Sequence, residues 1–361
     1  MKIAVVSDVV YPWVVGGGEK RYYEVFRRLA KRHEIHFYTM FYKGMPSKEF
    51  EYEGMKVHCV CDAPKNLYSG RRRKILPAIK FSLKLYGKLT QERFDLIECN
   101  EFPFLPCFAA KRIARLQKIP LVVTWHEVWG DHWDEYLGVS GAVGKHIERR
   151  VSKISDRIVS VSSSTSEKLE RELGVDKRKV VTINNGVDVK LIKKIKARKD
   201  GDKVIFVGRL IPEKNVDLLI KSLPENLRLT LIGEGPEEEN LRELARRMNK
   251  KVEFKPFLSS YEKLLKEIKS ASLFVMLSER EGFSITALEA IACETPVLAL
   301  TNSLPEEIEN LCYLTDKGGV RDSILKYMNS SPRKCDIEKF DWEIIAGKIE
   351  KDYKEATRNW R

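Results

Sequence analysis

Two α/β lobes, each a doubly wound parallel sheet of Rossmann-like type, are the fold that three features of the sequence predict. The chain has 361 residues, more than a single hydrophobic core usually serves. Short runs rich in Val and Ile alternate with segments of helical period, the signature of βαβ units. Near residue 190 the alternation breaks at a turn and a basic stretch, and then restarts.

In the first lobe, Ile3 to Val6, Ile35 to Tyr38, Phe94 to Glu98, Pro120 to Thr124, Arg157 to Val161 and Val180 to Ile183 read as strands. Glu19 to Arg32 reads as a helix whose Tyr22, Val25, Phe26, Leu29 and Ala30 recur at helical spacing and so face a sheet as core. Asn184-Asn185-Gly186 marks the turn at the boundary. The second lobe reads as strands at Val204 to Val207, Leu229 to Ile232, Val252 to Phe254, Leu273 to Leu277 and Pro296 to Leu300. Its helices are expected at Asn215 to Ser222, Glu238 to Met248, Tyr261 to Ile268 and Thr286 to Cys293. A last helical face carrying Trp342, Ile345, Ile349 and Tyr353 must find an apolar surface to pack on. In open parallel sheets ligands gather at the carboxyl ends of the strands, so two such sheets facing each other would enclose one between them.

With 43% apolar and 32% charged residues, the chain can bury sizeable cores and lacks the composition of a disordered protein. The apolar run at Met1 to Val6 is too short for a signal peptide, and no run approaches the length of a membrane-spanning helix. Seven cysteines without a C-x-x-C pair suit reduced thiols and a cytoplasmic protein. The net charge of +13 is uneven: residues 1–190 hold 34 Lys and Arg against 23 Asp and Glu, and the remainder 31 against 29. This excess, densest at Arg71-Arg72-Arg73-Lys74, suits a phosphate-bearing partner or an anionic membrane surface at the inner face of a membrane, and equally a solvated basic loop. Nucleic acid is disfavoured, because aromatic and basic residues do not interleave as a stacking groove requires.

Several segments carry chemistry. Gly16-Gly17-Gly18-Glu19 lies between a strand and a helix, where bare amides and the helix dipole favour an anion; a plain flexible turn is the competing reading. Gly208-Arg209-Leu210-Ile211-Pro212-Glu213-Lys214 places two cations five residues apart beyond a strand end, as a diphosphate clamp would, although exposed loop cations are ordinarily only solvated. Gly233-Glu234-Gly235-Pro236 reads either as a close approach to a nucleotide or as a structural turn. Glu281 and Glu289 flank seven residues that include Ser284 and Ile285; Glu289, on an apolar helix, needs a partner such as a ribose hydroxyl pair. Thr124-Trp125-His126-Glu127 ends a strand and opens an aromatic, acidic loop. A zinc site fails there, because the next histidine stands six residues on rather than one helical turn away.

Taken in order, the glycine loop, T-W-H-E, V-S-S-S-T, N-G-V-D, V-G-R-L with its lysine, G-E-G-P and E-G-F with E-x7-E resemble the retaining GT-B glycosyltransferases of family four, also called group 1. The resemblance spans nearly the whole chain. It implies two domains: 1–186, completed by a terminal helix at about 341–361 that crosses back to it, on the acceptor side, and 187–340, binding a nucleotide-sugar donor. It implies Gly17 and Gly18 near the donor phosphates, His126 near the donor sugar, Arg209 and Lys214 on the diphosphate and Glu281 at the transferred sugar. Glu289 would take the ribose, with Gly233, Gly235, Ser284 and Ile285 offering backbone close to the donor. Three positions depart from the family pattern, with Ser284, Glu294 and Asn302-Ser303 standing where glycines are common.

The activity implied is transfer of a hexose-type sugar, with retention and without a metal or other cofactor, from a nucleotide-diphosphate sugar to a glycan or lipid-linked acceptor. A nucleotide-sugar epimerase or a phosphorylase on the same frame, and a silent nucleotide-sugar-binding subunit, are the alternatives. A dinucleotide oxidoreductase lacks its G-x-G-x-x-G. The oligomeric state is left open.

Overall fold

The computed structural model describes residues 1–69, 72–258 and 260–360; Arg71, within the basic run noted above, lies outside them. The chain forms two compact units. One is Met1–Asn185 together with the terminal helix Trp342–Trp360, and the other is Gly186–Asp341.

In the first unit, β1 (Lys2–Val6), β2 (Glu34–Phe41), β3 (Glu49–Tyr52) and β4 (Met55–Asp62) are followed by a small ribbon, β5 (Tyr68–Ser69) with β6 (Arg72–Arg73). Then come β7 (Leu96–Asn100), β8 (Leu121–Trp125), β9 (Arg157–Ser160) and β10 (Val180–Thr182). The main sheet runs β10-β9-β8-β7-β1-β2-β4-β3. All its pairings are parallel except β3 with β4. Ile3, Ala4, Val5 and Val6 are all fully buried, as expected of a central strand covered on both faces.

The antiparallel edge was not legible as a hairpin. Its turn is Glu53-Gly54, with φ of 52° and 80°, the left-handed pair that a tight hairpin needs and that Asn-Gly more often supplies. Helices Ile75–Leu89, Leu105–Gln117 and Gly141–Ile154 likewise fill stretches where the sequence pattern announced no element.

The terminal helix packs on helix Gly17–Leu29 through the stripe of Trp342, Ile345, Ile349 and Tyr353, all buried. Ion pairs fasten its rim: Arg157 donates to Asp352 at 2.8 Å and Arg32 to Glu350 at 2.7 Å. At its centre is the fully buried Glu98 of β7. Its carboxyl accepts from Tyr22 of helix Gly17–Leu29 (2.9 Å), Thr124 of β8 (2.5 Å) and Tyr353 of the terminal helix (2.9 Å). Burial lifts its pKa to about 7 despite these donors.

In the second unit, β11 (Asp200–Val207), β12 (Arg228–Ile232), β13 (Val252–Lys255), β14 (Ala271–Met276), β15 (Val297–Leu300) and β16 (Tyr313–Thr315) form an all-parallel sheet of order β13-β12-β11-β14-β15-β16. Val204, Phe206, Leu229, Leu231, Leu273 and Val275 build its core with the helices that cover it.

Two of the three departures from the family pattern occupy left-handed backbone. Glu294 has φ of 57° just beyond helix Ile285–Ala292, where Thr295 N donates to Ala290 O (2.9 Å) and Glu294 N to Ile291 O (3.0 Å). That is a Schellman ending, whose left-handed residue is usually glycine. Asn302, at φ of 60°, is a side chain that tolerates this region. The backbone has therefore kept the conformation that a glycine would adopt.

Two outcomes follow from these contacts. Glu294→Gly relieves side-chain strain and is expected to stabilise the protein by up to about 1 kcal/mol, whereas Glu294→Val lowers the melting temperature. Tyr353→Phe removes one donor from Glu98 and is expected to cost about 1–2 kcal/mol in denaturant unfolding. The loss is larger above pH 7, where the carboxyl is ionised and needs the donor more.

Candidate functional site

In the first unit the site residues gather at the carboxyl ends of β1, β7 and β8. Gly16 is the extended N-cap of helix Gly17–Leu29, which sets Gly17 and Gly18 in its first turn. A Cβ on Gly18 would lie 3.4 Å from His126 Nε2, so the glycine loop and the histidine are neighbours. The His126 N–H donates to Glu101 Oε1 at 2.8 Å, which fixes the backbone at the end of β8. Burial, with a smaller contribution from the Arg21 guanidinium, lowers the imidazole pKa to about 3, so His126 is neutral across the physiological range. Glu101, buried just beyond β7, is pushed up to about 8 by burial. Glu101 Oε2 and His126 Nε2 lie 4.0 Å apart, and neither has a hydrogen-bond partner among the described residues.

Around this pair, Arg21 is buried and donates to Asn184 O (2.9 Å) and Asn185 Oδ1 (2.8 Å). The N-N-G-V-D motif thus has a local cause. Its asparagines hold Arg21, and its aspartate, Asp188, caps helix Val189–Lys194 by accepting from Leu191 N at 2.9 Å. Ser162 caps helix Ser163–Arg171 in the same way, accepting from Thr165 N at 3.2 Å.

The aromatic loop after His126 is largely packing. Trp133 is buried, and Trp129 stacks on Phe102 with centroids 5.2 Å apart. The buried carboxylate of Glu148 accepts from Trp129 N, Gly130 N and Trp133 Nε1 at 2.8, 3.2 and 2.9 Å. One cation of the basic run is also used internally. Arg73 donates to the buried Asp8 at 2.6 Å and lies over the Phe102 ring at 5.3 Å.

In the second unit the loops after β11, β12 and β14 converge. Gly233 and Gly235 are required by another loop: a Cβ on Gly233 would come 1.9 Å from Gly208 O, and one on Gly235 would come 2.2 Å from Leu210 O. Leu210 N donates to Glu234 O at 2.9 Å and Glu237 N to Leu210 O at 3.1 Å. The two loops are thereby locked together, and the segment bearing Arg209 and Lys214 is held by its neighbour. The Asn215 amide donates to Leu277 O at 2.9 Å, tying the same segment to the end of β14.

Arg209 is exposed. The Lys214 ammonium donates to the Glu281 carboxylate, and Glu281 N is held by Ser303 O at 2.9 Å. Ser284 caps helix Ile285–Ala292, its Oγ accepting from Ala287 N at 3.3 Å. This leaves Ile285 and Thr286 as the opening amides of the helix, whose N–H groups have no acceptor within it. Glu289 is buried on that helix and accepts from Tyr261 OH at 2.9 Å, so the protein itself supplies a hydroxyl partner for this carboxylate.

The chain matches Glycosyltransferase Family 4 over residues 15–191 and Glycosyl transferases group 1 over residues 188–311. It belongs to this family. The family makes it a nucleotide-sugar-dependent glycosyltransferase of GT-B fold. It is 24% identical to an N-acetyl-alpha-D-glucosaminyl L-malate synthase of Bacillus anthracis, over 97% of this chain and 96% of that enzyme. Among solved structures, its fold is similar to that of a sucrose-phosphate synthase from Thermosynechococcus elongatus. That match has a TM-score of 0.82 at 19% identity and covers 98% of each chain. An Anabaena protein in complex with UDP-glucose matches with a TM-score of 0.74 at 16% identity, over 98% of this chain and all of that one.

Of the residues singled out by sequence, the glycosyltransferase brings Gly17, Gly18 and His126 together in its first unit. Lys214, Glu281, Ser284, Ile285 and Glu289 lie around the ends of β11 and β14 in its second. Glu98, Glu101, Arg21, Glu148 and Tyr261 were not singled out. For Glu98 and Glu101 a signal existed, since one acid stands inside a short apolar strand and the other directly after it. Nothing local marks Tyr261, whose role comes from a helix 28 residues away from Glu289 in the chain.

Glu101 gives a pH signature. Folded, it holds a proton up to about pH 8, whereas an unfolded glutamate releases it near pH 4.3. The native state therefore binds more protons between these values, and stability falls as pH rises through that window. His126 acts in the opposite direction only below its ordinary value near 6.5. Glu101→Gln keeps the acceptor for His126 N–H and removes the titration. Its melting temperature relative to the wild type is expected to rise steadily from pH 6.5 to 8 and to level off above.

Proposed function

We propose that the enzyme moves a hexose from a nucleoside-diphosphate sugar to a glycan or lipid-linked acceptor with retention of configuration. The observation that carries this reading is the Lys214 and Glu281 pair beside the opening amides of helix Ile285–Ala292. It sets a cation, a hydroxyl-accepting carboxylate and two aligned N–H groups within one small region of the second unit. A diphosphate needs the first and third, and the hydroxyls of a sugar need the second.

As the bond from the anomeric carbon to the phosphate oxygen breaks, negative charge builds on the leaving diphosphate. Lys214 and Arg209, with the N–H groups of Ile285 and Thr286, are the groups that stabilise it. The acceptor oxygen forms its bond to the anomeric carbon on the same face, and the departing phosphate oxygen takes the acceptor's proton. Glu281 orients Lys214 before the donor arrives and then accepts from hydroxyls of the transferred sugar. Glu289, already accustomed to a hydroxyl donor in Tyr261, takes the ribose. In the first unit, Glu101 Oε2 and His126 Nε2 are polar atoms without hydrogen-bond partners among the described residues beside Gly18, which suits a hydroxylated group at that point. Gly17 and Gly18 lie in the first turn of helix Gly17–Leu29, where the helix dipole favours an anion.

The UDP-glucose held by the Anabaena neighbour makes uridine donors the first to test. A UDP-sugar is expected to raise the melting temperature more than GDP- or ADP-sugars, since a ligand of the native state alone stabilises it. Lys214→Ala is expected to lower kcat on the order of a hundredfold while the fold is retained. Unchanged turnover would remove Lys214 from the diphosphate. Product anomer by NMR checks retention.

A further inference from the structure

Helix Ile75–Leu89 buries one side and leaves another apolar side uncovered. Ala78, Phe81, Leu85 and Leu89 face the core. Ile75, Leu76, Ile79 and Leu83 are 58%, 78%, 40% and 74% exposed. At about 100° per residue these four fall within an arc of roughly 100°. Leu76 and Leu83 are far more exposed than a single surface leucine requires, and the four lie side by side.

The charge around this arc is mainly positive, offset in part by Asp62, which feels Lys80 and Lys84, and by Glu49, which pairs with Lys88 of the same helix. Residues 63–91 contain eight Lys and Arg and no Asp or Glu. Lys80 and Lys84 border the arc, both exposed; neither forms an ion pair among the described residues, although both lie close enough to Asp62 to lower its pKa. The Arg112 guanidinium lies 5.0 Å from the centre of the Tyr86 ring, joining the neighbouring helix Leu105–Gln117 to the same side. That helix adds the exposed Leu116 and Arg115, and residues 102–126 again hold no acid.

We infer that this face docks on an anionic lipid bilayer, with helix Ile75–Leu89 lying in the plane of the headgroups, its four aliphatic side chains entering the acyl boundary and Lys80 and Lys84 meeting lipid phosphates. An in-plane amphipathic helix has this composition, apolar on one arc and basic beside it. A second copy of the chain would bring a face of the same positive charge against it, which disfavours self-pairing. Nucleic acid would find aliphatic side chains where stacking needs aromatic ones. The inference concerns the first unit alone and holds whichever acceptor the enzyme uses.

The test is co-sedimentation of the full-length protein with phosphatidylglycerol and phosphatidylcholine vesicles, compared with phosphatidylcholine alone, at 50 and 300 mM salt. Binding is expected only to the anionic vesicles and is expected to weaken at high salt. Lys80→Glu with Lys84→Glu should reduce it at least tenfold. Leu76→Ser with Leu83→Ser should reduce it comparably, with an unchanged melting temperature, because these leucines are exposed. Equal binding by the leucine variant would overturn the insertion of this helix. Absence of binding to both vesicles, or a concentration-dependent dimer in sedimentation that the leucine variant dissolves, would overturn the lipid assignment. None of these readouts depends on sugar transfer.

Discussion

The buried carboxyl of Glu98 gathers the first unit around a single point. A helix from the start of the chain, the adjacent strand β8 and the helix at its far end each present one hydroxyl to it. A carboxyl is costly to bury, and it persists only where donors surround it. These three contacts therefore require all three elements to be in place together. The last nineteen-residue helix belongs to the unit begun by Met1 because its apolar stripe and Tyr353 have partners there. The same burial that raises Glu98 acts on Glu101 and His126 at the ends of β7 and β8, leaving a neutral imidazole next to a carboxyl that is protonated near neutrality.

The second unit solves a different problem. Its candidate charges stand on loops, and loops position charge poorly unless something holds them. The holding is done by backbone. Gly233 and Gly235 admit the carbonyls of Gly208 and Leu210 at distances no side chain would tolerate. Two loops then share hydrogen bonds, and Asn215 anchors their continuation to β14. Lys214 and Glu281 meet as a consequence, and each restrains the other.

Much of the fold was legible. The strands at Ile3 to Val6, Leu229 to Ile232 and Leu273 to Leu277, and the helix at Tyr261, follow from runs of β-branched residues and from helical spacing, which are local properties. Element ends moved by up to four residues, as at Asp200 of β11, and capping decides the helical ones: the helix expected from Thr286 starts at Ile285 because the Ser284 hydroxyl caps it at Ala287 N. The hairpin of β3 and β4 escaped notice because its turn places a glutamate in left-handed backbone. Glu294 and Asn302 read as departures from a glycine pattern, yet they retain the conformation for which glycine is usually chosen.

The sequence by itself determined the two-lobed α/β fold, the family and the identity of the candidate charges, because periodicity, glycine turns and the order of motifs are written along the chain. Tertiary structure alone decided which groups meet. It paired Lys214 with Glu281, gave Glu289 the hydroxyl of Tyr261, assigned Gly233 and Gly235 to a neighbouring loop and turned Arg73 inward to Asp8. It also left Leu76 and Leu83 uncovered. Burial, hydrogen-bond partners and the pKa shifts that follow from them depend on residues far apart in sequence, and no local pattern records such distances.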